Sequence, residues 1–135
     1  IVAGIDGSDS SMRAAAYAFG LGRRQGATVV FGYIRPLGTG TPAVAGAMSE
    51  AGLDIAADLE KQIRDGAQRL PDDHRARWEF HVGQGDAFHG LVELADRLKA
   101  DAVVIGASQK AGHRVLGSVA IRLVKAGRWP VTVVP

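Results

Sequence analysis

Ala102-Val103-Val104-Ile105-Gly106 decides the fold. Four apolar residues stand in a row between Asp101 and a glycine. The run is too short for a helix, and it lacks the polar–apolar alternation of a strand with one wet face. It therefore reads as a strand buried on both sides, in the centre of a sheet. Before it, Phe88, Leu91, Ala95 and Leu98 recur at helical spacing behind Asp86, a suitable N-cap. Arg77 to Val82 alternates, with Trp78, Phe80 and Val82 against Arg77, Glu79 and His81. That pattern predicts a half-exposed strand at a sheet edge, with Trp78 and Phe80 on its core side.

Further upstream, Ile55, Leu59, Ile63, Ala67 and Leu70 mark one face of a long helix from Ser49, stopped by Pro71-Asp72-Asp73. The preceding stretch, Arg35 to Met48, holds two prolines and three glycines and reads as a loop. Ala27 to Ile34 is β-branched and aromatic, a second buried strand. Ile1 to Ile5 is a first one, closed by Asp6-Gly7-Ser8-Asp9. Ser10 or Asp9 is placed to cap a helix from Ser11 to Arg24, with Ala14, Ala15, Ala18, Phe19 and Leu21 inward and Gly26 as terminator. Downstream, Val115, Val119, Leu123 and Val124 form a last helical stripe, and Val131 to Val134 is a fifth strand entered through Pro130. Strand and helix thus alternate along residues 1–135. The expectation is one α/β domain, a Rossmann-like, five-stranded parallel sheet with helices on both faces.

The composition excludes several classes. With 135 residues, 47% apolar and 22% charged, the chain has the make-up of one globular domain, not of a disordered or collagen-like one. No apolar stretch approaches the roughly 18 residues of a membrane span, so no membrane role is expected. Sixteen Lys and Arg against 14 Asp and Glu leave +2, and the cations are scattered. A nucleic-acid binder would show a basic stripe, so none is expected as partner. The absence of cysteine removes disulfides, thiolate catalysis and Cys-based zinc sites, and fits a reducing compartment; the expected location is cytoplasmic. The sequence opens at Ile1, without Met and inside an apolar run, as a trimmed chain would.

In an open parallel sheet, ligands bind beyond the carboxyl ends of the strands, where strand order reverses. Three segments fall there: Asp6 to Ser11, Ile34-Arg35-Pro36, and Gly106 to Ser118. In the third, Gly106 lets the backbone leave its strand tightly. Gly117-Ser118 opens a helix whose free N–H groups and dipole favour an anion. Lys110, His113 and Arg114 add positive charge. Such a segment is either a phosphate cradle or a loop that turns and caps a helix. Asp6, an acid at a strand tip, leans toward a binding role over a capping one. Ser8, Ser10 and Ser11 read as caps before ligands, and Asp9 as a cap before a metal ligand. His74, His81, His89 and His113 show no metal-ligand spacing.

At these residues the sequence resembles the universal stress protein family. The resemblance rests on the opening Ile1-Val2-Ala3-Gly4-Ile5-Asp6-Gly7-Ser8, on Tyr33-Ile34-Arg35-Pro36, on Asp101 to Gly106, on Leu116-Gly117-Ser118-Val119, and on Trp129-Pro130-Val131-Thr132-Val133-Val134. It implies an adenine nucleotide alpha hydrolase-like sheet, a homodimer, and in one branch ATP binding, with Mg²⁺ as a possible companion. That branch carries Gly-x2-Gly-x9-Gly-[Ser/Thr] after the fourth strand. By position, Gly106 matches the first glycine and Gly117-Ser118 the last pair, with Val119 beside them. Asp6 and Gly7 match the acidic turn near adenine and ribose, and Ile34 the apolar residue against the base. Ser108 and Gln109 fall inside the motif. Gln109 stands where the pattern has its second glycine, and ten residues separate Gly106 from Gly117 where the pattern has twelve. Altered geometry, weak binding and no binding are all compatible with that loop.

Three functions compete. The first is a non-catalytic regulatory module of the stress response that binds ATP. The second is a dimeric interaction module without nucleotide, its apolar edge Val131–Val134 paired with a twofold mate. The third is an enzyme. Asp6 to Ser11 loosely resembles the Ser-Gly-Gly-x-Asp-Ser loop of ATP pyrophosphatases, with Asp6 where that loop has Ser and Ser8 where it has Gly. A flavodoxin-like FMN site is a further variant. The residues offer no catalytic triad, and at most slow ATP hydrolysis is expected.

Overall fold

A computed structural model of the chain describes residues 1–38, 40–107 and 117–135. Its elements are β1 (Val2–Ile5), α1 (Asp9–Gln25), β2 (Val29–Arg35), α2 (Pro42–Gln68), β3 (Trp78–Gln84), α3 (Ala87–Arg97), β4 (Val103–Gly106), α4 (Ser118–Ala126) and β5 (Val131–Val134). The five strands form one sheet in the order β3-β2-β1-β4-β5, and every pairing is parallel. The chain starts in the middle, winds out to β3, then returns across β1 to β4 and β5. Strand order therefore reverses between β1 and β4.

Side chains alternate between two cores. Ala3, Ile5, Phe31, Tyr33 and Val104 point to a core shared with Ala14, Ala18 and Phe19 of α1 and Leu59 and Ile63 of α2. Val2, Val30, Val103 and Ile105 point the other way, to Leu91 and Leu94 of α3 and Ala120 and Leu123 of α4. The α/β sheet covered on both faces is present, with β4 interior and β3 at an edge. Trp78 meets Phe31 edge-on at 6.1 Å between ring centroids, and Phe80 packs against the same core.

Several local expectations change. The segment after β2 is not a loop to Met48, because α2 begins at Pro42. Thr41 is its N-cap and Pro42 sits in its first turn, where a missing N–H costs nothing. Ala43, Ala45 and Ala47 sustain the helix without a charge pattern to reveal it. Helix α1 is capped by Ser8, whose hydroxyl accepts the Ser11 N–H at 3.3 Å, and not by Ser10 or Asp9. Ile55 is 46% exposed and Ala56 only 4%. The contact line of α2 runs Gly52, Ala56, Leu59, Ile63, Ala67, starting where Gly52 lies 3.4 Å (by its would-be Cβ) from the Arg35 side chain. A helix of 27 residues outruns the sheet beneath it, so its first turns carry apolar residues with nothing to cover them. Leu70 and Leu98 lie past the ends of their helices and are exposed; Leu94 takes the buried place expected of Leu98. Val124 is 55% exposed, because α4 buries Ala120 and Leu123 instead; Val115 lies outside the described residues.

The tightest approach in the fold joins α1 to β4. A Cβ added to Gly106 would sit 2.6 Å from the Ser10 carbonyl carbon and 2.6 Å from the Ser11 nitrogen. Backbone cannot rotate away as a side chain does. Beside it, the buried Ser10 hydroxyl donates to the Ala107 carbonyl at 2.6 Å. Gly106→Ala is therefore expected to destabilise the protein by about 2–3 kcal/mol in urea denaturation, as overpacked sites do. Gly66→Ala serves as the contrast. Gly66 is helical and a Cβ there meets nothing within 4 Å, so alanine should stabilise by up to about 1 kcal/mol.

Candidate functional site

Gly106 and Ser10 stand at the rim of a cleft of about 510 Å³, which opens at the carboxyl ends of β1 and β4. That is the size of a small-molecule site, at the point where strand order reverses. Its floor is made of small residues. Gly4 and Gly32 are register partners on β1 and β2, and Leu91 packs over both. Its apolar walls are Ile34, Leu91, Ile105 and Val119. Its polar rim is Asp6, Ser8, Ser10, Ser11, Gly117 and Ser118.

Asp6 is fixed by the start of α1. Its Oδ1 accepts the Ser8 N–H at 2.9 Å and the Ser8 hydroxyl at 2.6 Å, while the Asp6 N–H donates to Ser11 Oγ at 3.3 Å. Partial burial pushes the carboxyl up, but the bonds from Ser8, with Ser11 adding to them, outweigh it and hold Asp6 below its ordinary 3.8. The group is thus ionised at neutral pH and retains acceptor capacity beyond these bonds. It is the only ionisable side chain among the described lining residues.

Three helices begin near this cleft, and their caps differ. Ser8 closes α1, and Asp86 closes α3 by accepting the His89 N–H at 3.1 Å. Asp86 also takes Arg122 of α4 at 3.1 Å, and that guanidinium lies 4.2 Å over the Phe88 ring. Helix α4 begins at Ser118 behind its N-cap Gly117, with no side-chain cap among the described residues. Its first-turn amides and its dipole face the cleft beside Ser118 and Val119, an arrangement suited to an anion.

Asp6, Ile34, Gly106, Gly117, Ser118 and Val119 are therefore brought together. Gly7 does not line the cleft; its φ of +85° turns the chain from β1 into α1. Ser108 and Gln109 lie outside the described residues, as do Lys110, His113 and Arg114. Ser10, Ser11, Gly4, Gly32 and Leu91 join the site without having been singled out as ligands. The register of β1 on β2 and the crossing of α3 over both gather Gly4, Gly32 and Leu91, and the first turn of α1 brings Ser10 and Ser11. His74 and His89 pair with Asp73 and Asp86, and His81 lies beside Arg97; none of the three lines the cleft.

The universal stress protein family model matches residues 1–135. The chain belongs to the universal stress protein family. A universal stress protein of Methanocaldococcus jannaschii is 31% identical over 140 residues, covering 99% of this chain and 80% of that protein. The solved universal stress protein UspA from Lactobacillus plantarum superposes with a TM-score of 0.84 at 23% identity, over 99% of this chain and 95% of that one. A universal stress protein solved in complex with cAMP superposes at 0.70 and 25% identity, over 99% of this chain and 94% of that one.

The Asp6 hydrogen bonds make a pH-dependent contribution to stability. The carboxyl is lowered in the folded chain, so the unfolded chain takes up its proton first as pH falls. The contribution is present above about pH 4 and is lost as pH drops through the folded value. Asp6→Asn should melt below the wild type at pH 6, and the gap should narrow as pH falls from 4 to 3. A gap that persists unchanged at pH 3 would show that the ionised carboxylate is not what is being held.

Proposed function

We propose that this protein binds an adenine nucleotide in the cleft, with ATP as the expected species, and acts as a non-catalytic regulatory module of the cellular stress response. One observation carries the reading: an apolar wall, an ionised acceptor and a helix start with no side-chain cap among the described residues share one volume of about 510 Å³. Each part answers to a part of the ligand. Ile34, Leu91 and Val119 offer apolar surface to the planar base. Asp6 is placed to accept from a ribose hydroxyl or the exocyclic amine. The first-turn amides of α4, with Ser118, suit a phosphate. The relative that holds cAMP supports adenylate chemistry in this fold.

Among the described residues no group of three or more His, Asp or Glu could hold a metal. Mg²⁺ would arrive with the nucleotide, held by phosphate oxygens and water, with Asp6 the one carboxylate at the rim. The same single carboxylate favours a binder over a hydrolase, which needs positioned groups for metal and water.

ATP or AMP at about 100-fold above its Kd should raise the melting temperature by roughly 5–10 °C. Asp6→Ala should weaken binding by about tenfold or more in titration calorimetry, the usual scale for losing a bond to a charged group. No shift at millimolar ATP, AMP and cAMP would end the nucleotide reading.

A dimer fits the same molecule. Strand β5 pairs with β4 on one side only among the described residues. Arg122 points from α4 toward α3, so Ile121 and Val124 lie on the side facing past β5, and both are exposed. An uncharged edge strand with an apolar flank is hidden by pairing with a second copy. The chain is expected to sediment as a dimer at micromolar concentration and Ile121→Glu/Val124→Glu as a monomer. A wild-type monomer would refute the pairing.

A further inference from the structure

We propose that Gly83 and Gly90 are positioning residues that hold Ile34 out of the cleft and so keep its base-binding end open. The inference rests on the nucleotide reading for its functional meaning and on the ligand-free geometry for its physical content.

Ile34, one residue before the end of β2, has its side chain on the α3 face, in line with Val30 and Gly32. Its parallel register partner on β3 is Gly83. A Cβ at Gly83 would lie 2.6 Å from Ile34 Cδ1, so the end of the Ile34 side chain occupies the space a β3 side chain would fill. Gly90 comes down from α3 onto the same group. A Cβ there would lie 2.8 Å from Cδ1, 2.9 Å from Cγ1 and 2.9 Å from Cγ2. Ile34 is thus seated between a strand glycine and a helix glycine, leaning over the edge strand and away from β1.

The cleft floor on its other side is Gly4 and Gly32, which carry no side chains. A side chain at position 83 or 90 must push Ile34 somewhere. Leu91 and Leu94 already fill the space above Gly32 on the core side. The open volume is the cleft itself, where the base is proposed to lie. Neither glycine is needed for its backbone angles, since neither is among the glycines with positive φ. Alanine is the better residue for a helix interior and is no worse for a strand. The cost of adding a methyl group here falls on Ile34 rather than on secondary structure.

The two sites make different demands, which separates this account from general damage. Gly83→Ala collides with Cδ1 alone; Ile34 Cγ1 stands 3.9 Å away. Ile34→Val removes Cδ1 and should relieve it. Gly90→Ala also meets Cγ1 and Cγ2, and valine keeps two γ carbons, so Ile34→Val should not relieve it. Affinity for AMP is measured by calorimetry on the wild type, Ile34→Val, each alanine variant and both double variants. Gly83→Ala and Gly90→Ala should each weaken AMP by about tenfold, as a modest overpacking does. In the Ile34→Val background the Gly83→Ala effect should vanish and the Gly90→Ala effect should remain. Equal affinity of the alanine variants and the wild type, or equal losses in both backgrounds at both sites, would overturn the proposal. A wild type that binds no adenine nucleotide would fell the nucleotide reading separately. The ligand-free crystal structure of Gly90→Ala then decides: Ile34 displaced into the cleft supports the positioning role, and Ile34 unmoved overturns it.

Discussion

The close approach of the start of α1 to the end of β4 is the constraint on which the rest depends. The Ser10–Ser11 backbone rests where a Gly106 side chain would be, and the Ser10 hydroxyl closes the contact on the Ala107 carbonyl. With it, the Asp6–Ser11 turn and the exit of β4 form one rigid rim. The reversal of strand order puts a gap at that rim, and the floor of Gly4 and Gly32 deepens it. Gly106 therefore serves packing before it serves any phosphate. A glycine in a nucleotide-type motif can be required by a helix behind the loop.

Much of the fold was legible because the strands are short, apolar and separated by amphipathic helices. Val103-Val104-Ile105 announced a strand buried on both faces, which lies between β1 and the edge strand β5 rather than at the centre, and the Trp78–Val82 alternation announced an edge. What escaped reading has identifiable causes. The first turns of α2 carry alanines and uncovered apolar residues, so no hydrophobic period marks them. Its buried line shifts from Ile55 to Ala56 because Gly52 sets the contact with Arg35, a tertiary choice that composition does not encode. Val124 is apolar yet exposed because the sheet ends at β5.

The candidate site was legible in part. Asp6, Ile34, Gly106, Gly117, Ser118 and Val119 announced themselves by type, place in the alternation and family resemblance, and the cleft gathers all six. Gly4, Gly32 and Leu91 did not, because their contribution is to be small, or to fill, at positions defined only by strand register and helix crossing. The caps add a distinction hidden from sequence. Helices α1 and α3 satisfy their own starts through Ser8 and Asp86, whereas α4 has no side-chain cap among the described residues. A chain that built all three starts alike would gain stability and lose the helix start proposed to meet a phosphate, a common tension between folding and function.

Amide chemical shifts in ¹⁵N-labelled protein titrated with AMP test the central claim most directly, because they locate the ligand residue by residue. The account predicts the largest changes at Asp6 to Ser11, at Ile34 and at Gly117 to Ala120, with the amino ends of the strands unmoved. Saturable changes confined to the amino ends of the sheet or to the β5 edge would contradict it.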